Sequence, residues 1–318
     1  MGLTDKKVVV SVRCITFNHA RFIRQCLDSL VMQVTDFRYQ IVILDDASTD
    51  NTQDIILEYS HQYPNLIIPI LLQENHYSIK KDRAHYIKEQ EDKVDAEYIA
   101  MCEGDDYWTD PLKLQKHVDY MESHPDCMMC FGNAIEHWED GRRPDKSFSS
   151  LEDRDYTGQE ICWKWMVPTA SIIYRKSILN TELCFRYKSN QRLIVGDLPL
   201  FVTCASYGKI HAFSDVFSVY RKQDSGFTRN FNSTRSYQMG LMWKEFPKIF
   251  GQEYSEVSTF KAILHFRNGM YKSKRERNYQ MYWMLFFRVL QMYLLHPIDA
   301  GKRARTVLRE RKAAKTVA

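Results

Sequence analysis

The chain has 318 residues, 44% of them hydrophobic and 26% charged, with a formal net charge of +4. These are ordinary globular values, enough for one large domain or one domain with an appendage. They argue against a protein that binds nucleic acid along its whole surface. The excess charge is gathered in one stretch, where Lys302, Arg303, Arg305, Arg309, Arg311, Lys312 and Lys315 stand against a single Glu310.

Residues 1–7 contain no apolar signal core, so no export is expected and a reducing cytoplasm fits. Residues 8–15 are β-branched and apolar and predict a buried strand, interrupted by Thr16, Phe17, Asn18 and His19. Residues 20–32 then place Phe22, Ile23, Leu27, Leu30 and Val31 at helical spacing. A second buried strand over 39–44 ends in Asp45-Asp46-Ala47-Ser48-Thr49-Asp50, whose short polar side chains suit the cap of a helix over 52–63. A third strand is expected over 65–72, a helix over 83–91 and a fourth strand over 98–102. Strand and helix alternate through roughly the first 125 residues, which predicts an α/β fold with a mostly parallel sheet covered on both faces. Ligands of such sheets bind beyond the carboxyl ends of the strands. The polar clusters at 16–18, 45–46 and 103–106 all fall there.

The third cluster, Glu103-Gly104-Asp105-Asp106 followed by Tyr107 and Trp108, places three carboxylates within four positions at the end of an apolar run. Buried acids cost several kcal/mol unless paired or bound to a cation, and a divalent ion is the natural partner of hard oxygen ligands. The other reading is an acidic turn ahead of a helix that starts near Pro111.

Eight cysteines, at positions 14, 26, 102, 127, 130, 162, 184 and 204, lie mostly in apolar stretches and read as reduced core thiols. The single Cys-x-x-Cys, Cys127 to Cys130, has no second pair at zinc-finger spacing. Residues 137–158 read as a charged surface loop. Trp163 and Trp165 sit before a strand expected over 169–174, and alternating aromatics of this kind read as the core face of a half-buried strand. Asp197 leads a helix from about Pro199 to Tyr207 with Gly208 as its stop, and a strand over 210–220 runs to Arg221. Beyond residue 233 the chain turns helical, aromatic and basic. Residues 281–295 are too short to cross a bilayer, which needs about 20 apolar residues, and are broken by Arg288 and Gln291. Their basic flanks suit a helix lying on an anionic membrane surface through 272–311, or a bundle packed on the rest of the protein.

Taken in order, the strand with Thr16-Phe17-Asn18, Asp45-Asp46-Ala47-Ser48-Thr49-Asp50, Glu103-Gly104-Asp105-Asp106-Tyr107-Trp108 with Pro111, Gly196-Asp197-Leu198-Pro199-Leu200 and Val219-Tyr220-Arg221 resemble the family 2 glycosyltransferases of the GT-A fold. The resemblance covers about residues 8–225. It implies a catalytic domain over 1–230, with a nucleotide-sugar half at 8–125 and an acceptor half at 126–230, followed by a helical, basic region at 231–318. It implies an inverting transfer of a sugar from a nucleoside-diphosphate sugar, by preference a UDP-sugar, to a polysaccharide or lipid-linked oligosaccharide, on the inner face of the cell membrane. Thr16, Phe17, Asn18, Asp45, Asp46, Ser48, Asp105 and Arg221 would then face the nucleotide, Asp105 and Asp106 would hold Mn2+ or Mg2+, and Asp197 would be the general base. Trp163 and Trp165 would meet the acceptor. Glu103 stands where the family more commonly has aspartate. The alternatives are a sugar nucleotidyltransferase, though the basic glycine-rich loop that chemistry wants near the first strand is missing, and a binding module with a dead site.

Overall fold

The computed structural model describes residues 7–77, 84–93, 96–223 and 232–295. The N-terminal residues 1–6 and the basic tail at 302–315 therefore lie outside the described residues. The strands are β1 (Val8–Thr16), β2 (Arg38–Asp45), β3 (Ile67–Leu71), β4 (Tyr98–Glu103), β5 (Tyr107–Trp108), β6 (Cys127–Trp138), β7 (Lys146–Ser147), β8 (Arg154–Tyr156), β9 (Ile173–Arg175) and β10 (Lys209–Lys222). The helices are α1 (Ile23–Val31), α2 (Thr52–Gln62), α3 (Ala84–Asp92), α4 (Lys113–Ser123), α5 (Gly158–Trp163), α6 (Glu182–Ser189), α7 (Asp197–Tyr207), α8 (Ser233–Phe250), α9 (Ser255–Arg275) and α10 (Tyr279–Leu295).

The chain forms two compact units, Met1–Thr181 with Cys204–Gln223, and Glu182–Thr203 with Asp224–Ala318. In the first, one sheet runs β3-β2-β1-β4-β9-β6-β10-β5, with β7 on β6 and β8 on β10. β1, β2, β3 and β4 are parallel neighbours, β6 and β10 are parallel, and the short β9 lies antiparallel between β4 and β6. All six long strands thus point the same way. Alternation along the strands covers both faces. Val10, Val12, Cys14, Ile41 and Ile43 pack with Ile23, Leu27 and Leu30 of α1 and Ile55 and Ile56 of α2. Val42 and Leu44 point the other way, toward Ile87 of α3. All eight cysteines are free and buried.

Three local expectations change. Residues 137–158 are not only loop, because β7 and β8 add to the edges of β6 and β10. The strand expected over 169–174 shrinks to β9, since the hydroxyl of Ser171 donates to the Pro168 carbonyl (2.8 Å) and winds Thr169–Ser171 into a 3-10 turn. Trp163 ends α5, a helix opened by Thr157 and Glu160 in a reciprocal capping box, so the two tryptophans do not alternate on a strand.

Trp108 of β5 is buried; its indole N–H donates to the Ala170 carbonyl (2.6 Å) and its backbone N–H to the Ser29 hydroxyl (2.9 Å). Above its ring, 4.1 Å from the centroid, sits the fully buried Nζ of Lys113, with no hydrogen-bond partner among the described residues. Burial pushes this ammonium from its ordinary value of 10.5 down to about 7. The unfolded chain binds the proton more readily than the folded one, so stability falls as pH drops from 10.5 toward 7 and stays lowered below that. Lys113→Met is expected to raise stability at pH 7 by about 1 kcal/mol and to flatten the alkaline rise, read from urea unfolding midpoints across pH.

Candidate active site

Register alone brings the polar clusters together. Thr16 pairs with Asp45 and Ile15 with Glu103, so the loops after β1, β2 and β4 leave one edge of the sheet side by side. Asn18 takes a left-handed conformation (φ 55°), which asparagine tolerates. From there its backbone N–H donates to the Ser48 hydroxyl (2.7 Å), and its side-chain carbonyl accepts from the Thr49 N–H (2.7 Å). The His19 N–H donates to the Thr52 hydroxyl (2.9 Å) and the Ala20 N–H to Asp50 (3.1 Å). Asp50 also accepts from the Thr52 N–H at the start of α2 (3.0 Å). Two loops are thereby laced into one.

Asp45 and Asp46 are both fully buried. Asp45 accepts from the Ser48 N–H (2.8 Å), from the Gln53 amide (2.7 Å) and from the Ser48 hydroxyl. Asp46 accepts from the backbone N–H groups of His76 (2.8 Å) and Tyr77 (3.0 Å), which ties down the loop after β3. Thr16 is buried, whereas Phe17 is 40% exposed at the strand end.

The acidic turn is built around Gly104. Its N–H donates to the Ile15 carbonyl (2.9 Å), and a Cβ there would lie 2.5 Å from the Thr16 hydroxyl oxygen, so only glycine fits. Asp106 is buried and accepts from the Arg221 backbone N–H (2.9 Å). Burial first, then the charges of Asp105 and Glu103, push its carboxyl well above the usual aspartate range. Asp105 is the open one, its side chain 26% exposed, with Gln223 donating to it at 3.3 Å and His19 Nε2 3.9 Å away. Arg221 locks the turn from the end of β10. Its guanidinium donates to the Asp105 carbonyl (2.9 Å), to Glu139 (2.6 Å) and to Gln25, and lies over the rings of Tyr107 (4.6 Å) and Phe22 (5.0 Å). His19 reads from the sequence as a loop histidine beside Asn18, whereas Gln25, Glu139 and Gln223 give no sequence signal and reach the turn only through tertiary structure.

Among the described residues no three His, Cys, Asp or Glu side chains form a ready-made metal site. The donor set still suits a divalent ion carried in by a phosphate ligand, since such ions need only one or two protein carboxylates. Asp105 offers an accessible oxygen beside a carboxyl that crowding holds up, and added positive charge would relieve that crowding.

The remaining candidates lie apart in the chain. Asp197 starts α7, in the second compact unit, and accepts from the Leu198 N–H (2.8 Å). A helix N-terminus favours the charged form, yet burial wins and raises the Asp197 carboxyl above its usual value. Trp163 is half-buried and Trp165 is 54% exposed.

The sheet is thus mostly parallel and carries acids at its strand ends. Residues 11–183 match the family described as Glycosyl transferase family 2, and the chain belongs to that family. An uncharacterised protein of Mycobacterium tuberculosis (strain ATCC 25618 / H37Rv) is 35% identical over 241 residues, covering 72% of this chain. The match spans 65% of that relative's own length, less than two thirds. Among solved structures, S. aureus TarS in complex with UDP-GlcNAc aligns with TM-score 0.61 at 16% identity, over 90% of this chain and 81% of that one. The mannosyltransferase PcManGT from Pyrobaculum calidifontis, in complex with GDP-Man and Mn2+, aligns with TM-score 0.53 at 14% identity, over 94% of this chain and 87% of that one. At these identities the likeness is one of fold, the GT-A type.

Arg221→Met removes the cation that faces the acidic turn while keeping some of its packing. A loss of about 3 kcal/mol is expected, measured by urea unfolding, and Gly104→Ala should weaken the same turn through its clash with Thr16.

Proposed function

We propose that the protein transfers a sugar, with inversion, from a nucleoside-diphosphate sugar to a hydroxyl of a glycan acceptor, a polysaccharide or a lipid-linked oligosaccharide. The observation that carries this reading is the half-open Asp105 beside the buried Asp106, at an edge where two further polar loops converge. Membership of the glycosyl transferase family favours it over nucleotidyl transfer.

In this reading the base lies against the laced loops after β1 and β2. Phe17 offers an exposed ring, while Thr16, Asn18, Asp45, Asp46 and Ser48 hold the edge in shape. Asp105 and Asp106 would hold the divalent ion, Mn2+ or Mg2+, with Asp105 the more accessible of the two. When bound, the ion supplies positive charge where the diphosphate leaves. Arg221 acts as a positioning residue, because three of its five guanidinium N–H donors already engage protein groups. UDP is the favoured carrier, in line with the UDP-GlcNAc complex of TarS, although PcManGT carries GDP-Man on a similar fold.

Asp197 acts as general base. The acceptor oxygen attacks the anomeric carbon as the bond to the diphosphate breaks, and the acceptor proton passes to the Asp197 carboxylate. One displacement inverts the carbon. A carboxyl raised by burial is a stronger base than an exposed one and suits this step. Trp163 and Trp165 are the proposed acceptor contacts.

Calorimetry with UDP and GDP, with and without Mn2+, tests the reading. Asp105→Asn should abolish the metal-dependent part of nucleotide binding, and failure of both nucleotides to bind with metal present would overturn the proposal. Asp197→Asn should keep that binding and lower kcat by about 10²–10⁴-fold. Because the base must be deprotonated, kcat/KM should fall on acidification through a value above the ordinary aspartate range.

A further inference from the structure

The described part of the second compact unit ends in a helix whose outward face is largely of the wrong chemistry for water. α10 packs on α9 through buried Leu285, which lies against Gly269, while Met292 is also buried. Its one charged residue, Arg288, is half-buried and turns inward, the guanidinium donating to the Tyr237 hydroxyl (3.5 Å) and lying over that ring. Apart from Gln280 and Gln291, what remains exposed is apolar or aromatic. Tyr279, Trp283, Phe286, Phe287, Leu290 and Leu294 follow one another at helical spacing and are 61, 54, 36, 61, 45 and 73% exposed. Scattered apolar residues on a surface need no explanation, but a continuous stripe marks a contact.

We infer that this face of α10 lies in the surface layer of an anionic lipid membrane. Three observations select that occupant. The helix has 17 residues, about 25 Å at ~1.5 Å per residue, and no helix among the described residues is long and apolar enough to cross a membrane; contact is therefore along the surface. The stripe is a convex ridge of large aromatic and aliphatic side chains, with tyrosine and tryptophan among them, the composition that partitions into the headgroup boundary. Cations flank it on both sides. Lys274, Arg275 and Arg277 are exposed just before the helix, and the sequence from residue 302 to 315 carries seven cations against one acid, starting seven positions past Leu295.

That last feature argues against a second copy of the chain as the occupant. Parallel pairing of two copies along the stripe would set the exposed Lys274, Arg275 and Arg277 of each together. Anionic headgroups would meet these cations with opposite charge, at a favourable energy that salt screens. The inference does not depend on the donor, the metal or the reaction.

Co-sedimentation of the full chain with vesicles tests it. The parent is expected to bind phosphatidylglycerol–phosphatidylcholine vesicles at least about tenfold more strongly than pure phosphatidylcholine vesicles, and less at high salt. The double variant Trp283→Ser, Phe287→Ser should partition about tenfold more weakly while its urea midpoint stays unchanged, because both side chains are mostly exposed. Reversing charge with Lys274→Glu, Arg275→Glu and Arg277→Glu should erase the preference for anionic lipid. Failure of the parent to bind anionic vesicles, or equal binding by the double variant, would overturn the inference. So would light scattering that reveals a dimer dissociated by the double variant, since the stripe would then belong to a second copy.

Discussion

The arrangement at the sheet edge depends on one cation. Glu103, Asp105 and Asp106 are crowded at the end of β4, and Asp106 is taken out of water altogether. Burial holds the Asp106 carboxyl up, and the nearby charges of Asp105 and Glu103 raise it further. Arg221 is the countercharge, delivered from β10, more than a hundred residues away in the chain. It works by several routes at once: its backbone N–H meets Asp106, its guanidinium meets the Asp105 carbonyl, and two aromatic rings enclose it. The same guanidinium also serves Glu139, so its charge is shared. Part of the Asp105 carboxylate still reaches solvent.

The other two loops solve a different problem. A loop-built binding edge must be stiff before a ligand arrives, or ordering it would consume binding energy. Here stiffness comes from carboxylates turned onto backbone N–H groups. Asp45 closes its own turn, Asp46 reaches the loop after β3, and Asp50 joins α2 to the loop after β1. These acids are thus spent largely on holding shape. The exposed groups at this edge include Phe17, Asn18, Thr49, Asp50 and part of Asp105. That division, with buried acids bracing and a few open groups presented, lets a loop-built site hold its shape.

Much of the fold was legible beforehand. The β-branched runs at 8–15, 39–44 and 98–102 became β1, β2 and β4 with small shifts at their ends, because buried parallel strands need that composition. The interposed helices followed from apolar spacing. Where the reading slipped, local hydrogen bonds had overruled pattern: Ser171 bends the chain after Pro168, and Thr157 with Glu160 starts a helix that composition alone did not announce. The short β7 and β8 were invisible because two- and three-residue strands exist only by virtue of the partners beside them.

For the site, the sequence by itself determined which residue types stand at the strand ends and in what order, since strand periodicity and turn chemistry are properties of a local stretch. It also determined that an apolar, cation-flanked helix closes the described part of the second unit. Only the tertiary structure decided which acid is open and which is buried, because burial depends on what packs on top. Asp105 and Asp106 are neighbours of the same type, and nothing local separates them. Arg221, Gln25 and Glu139 come from three distant segments, and their meeting set the difference. Likewise the outward face of α10 was settled by the packing of Leu285 on α9, which turned the aromatic stripe toward solvent.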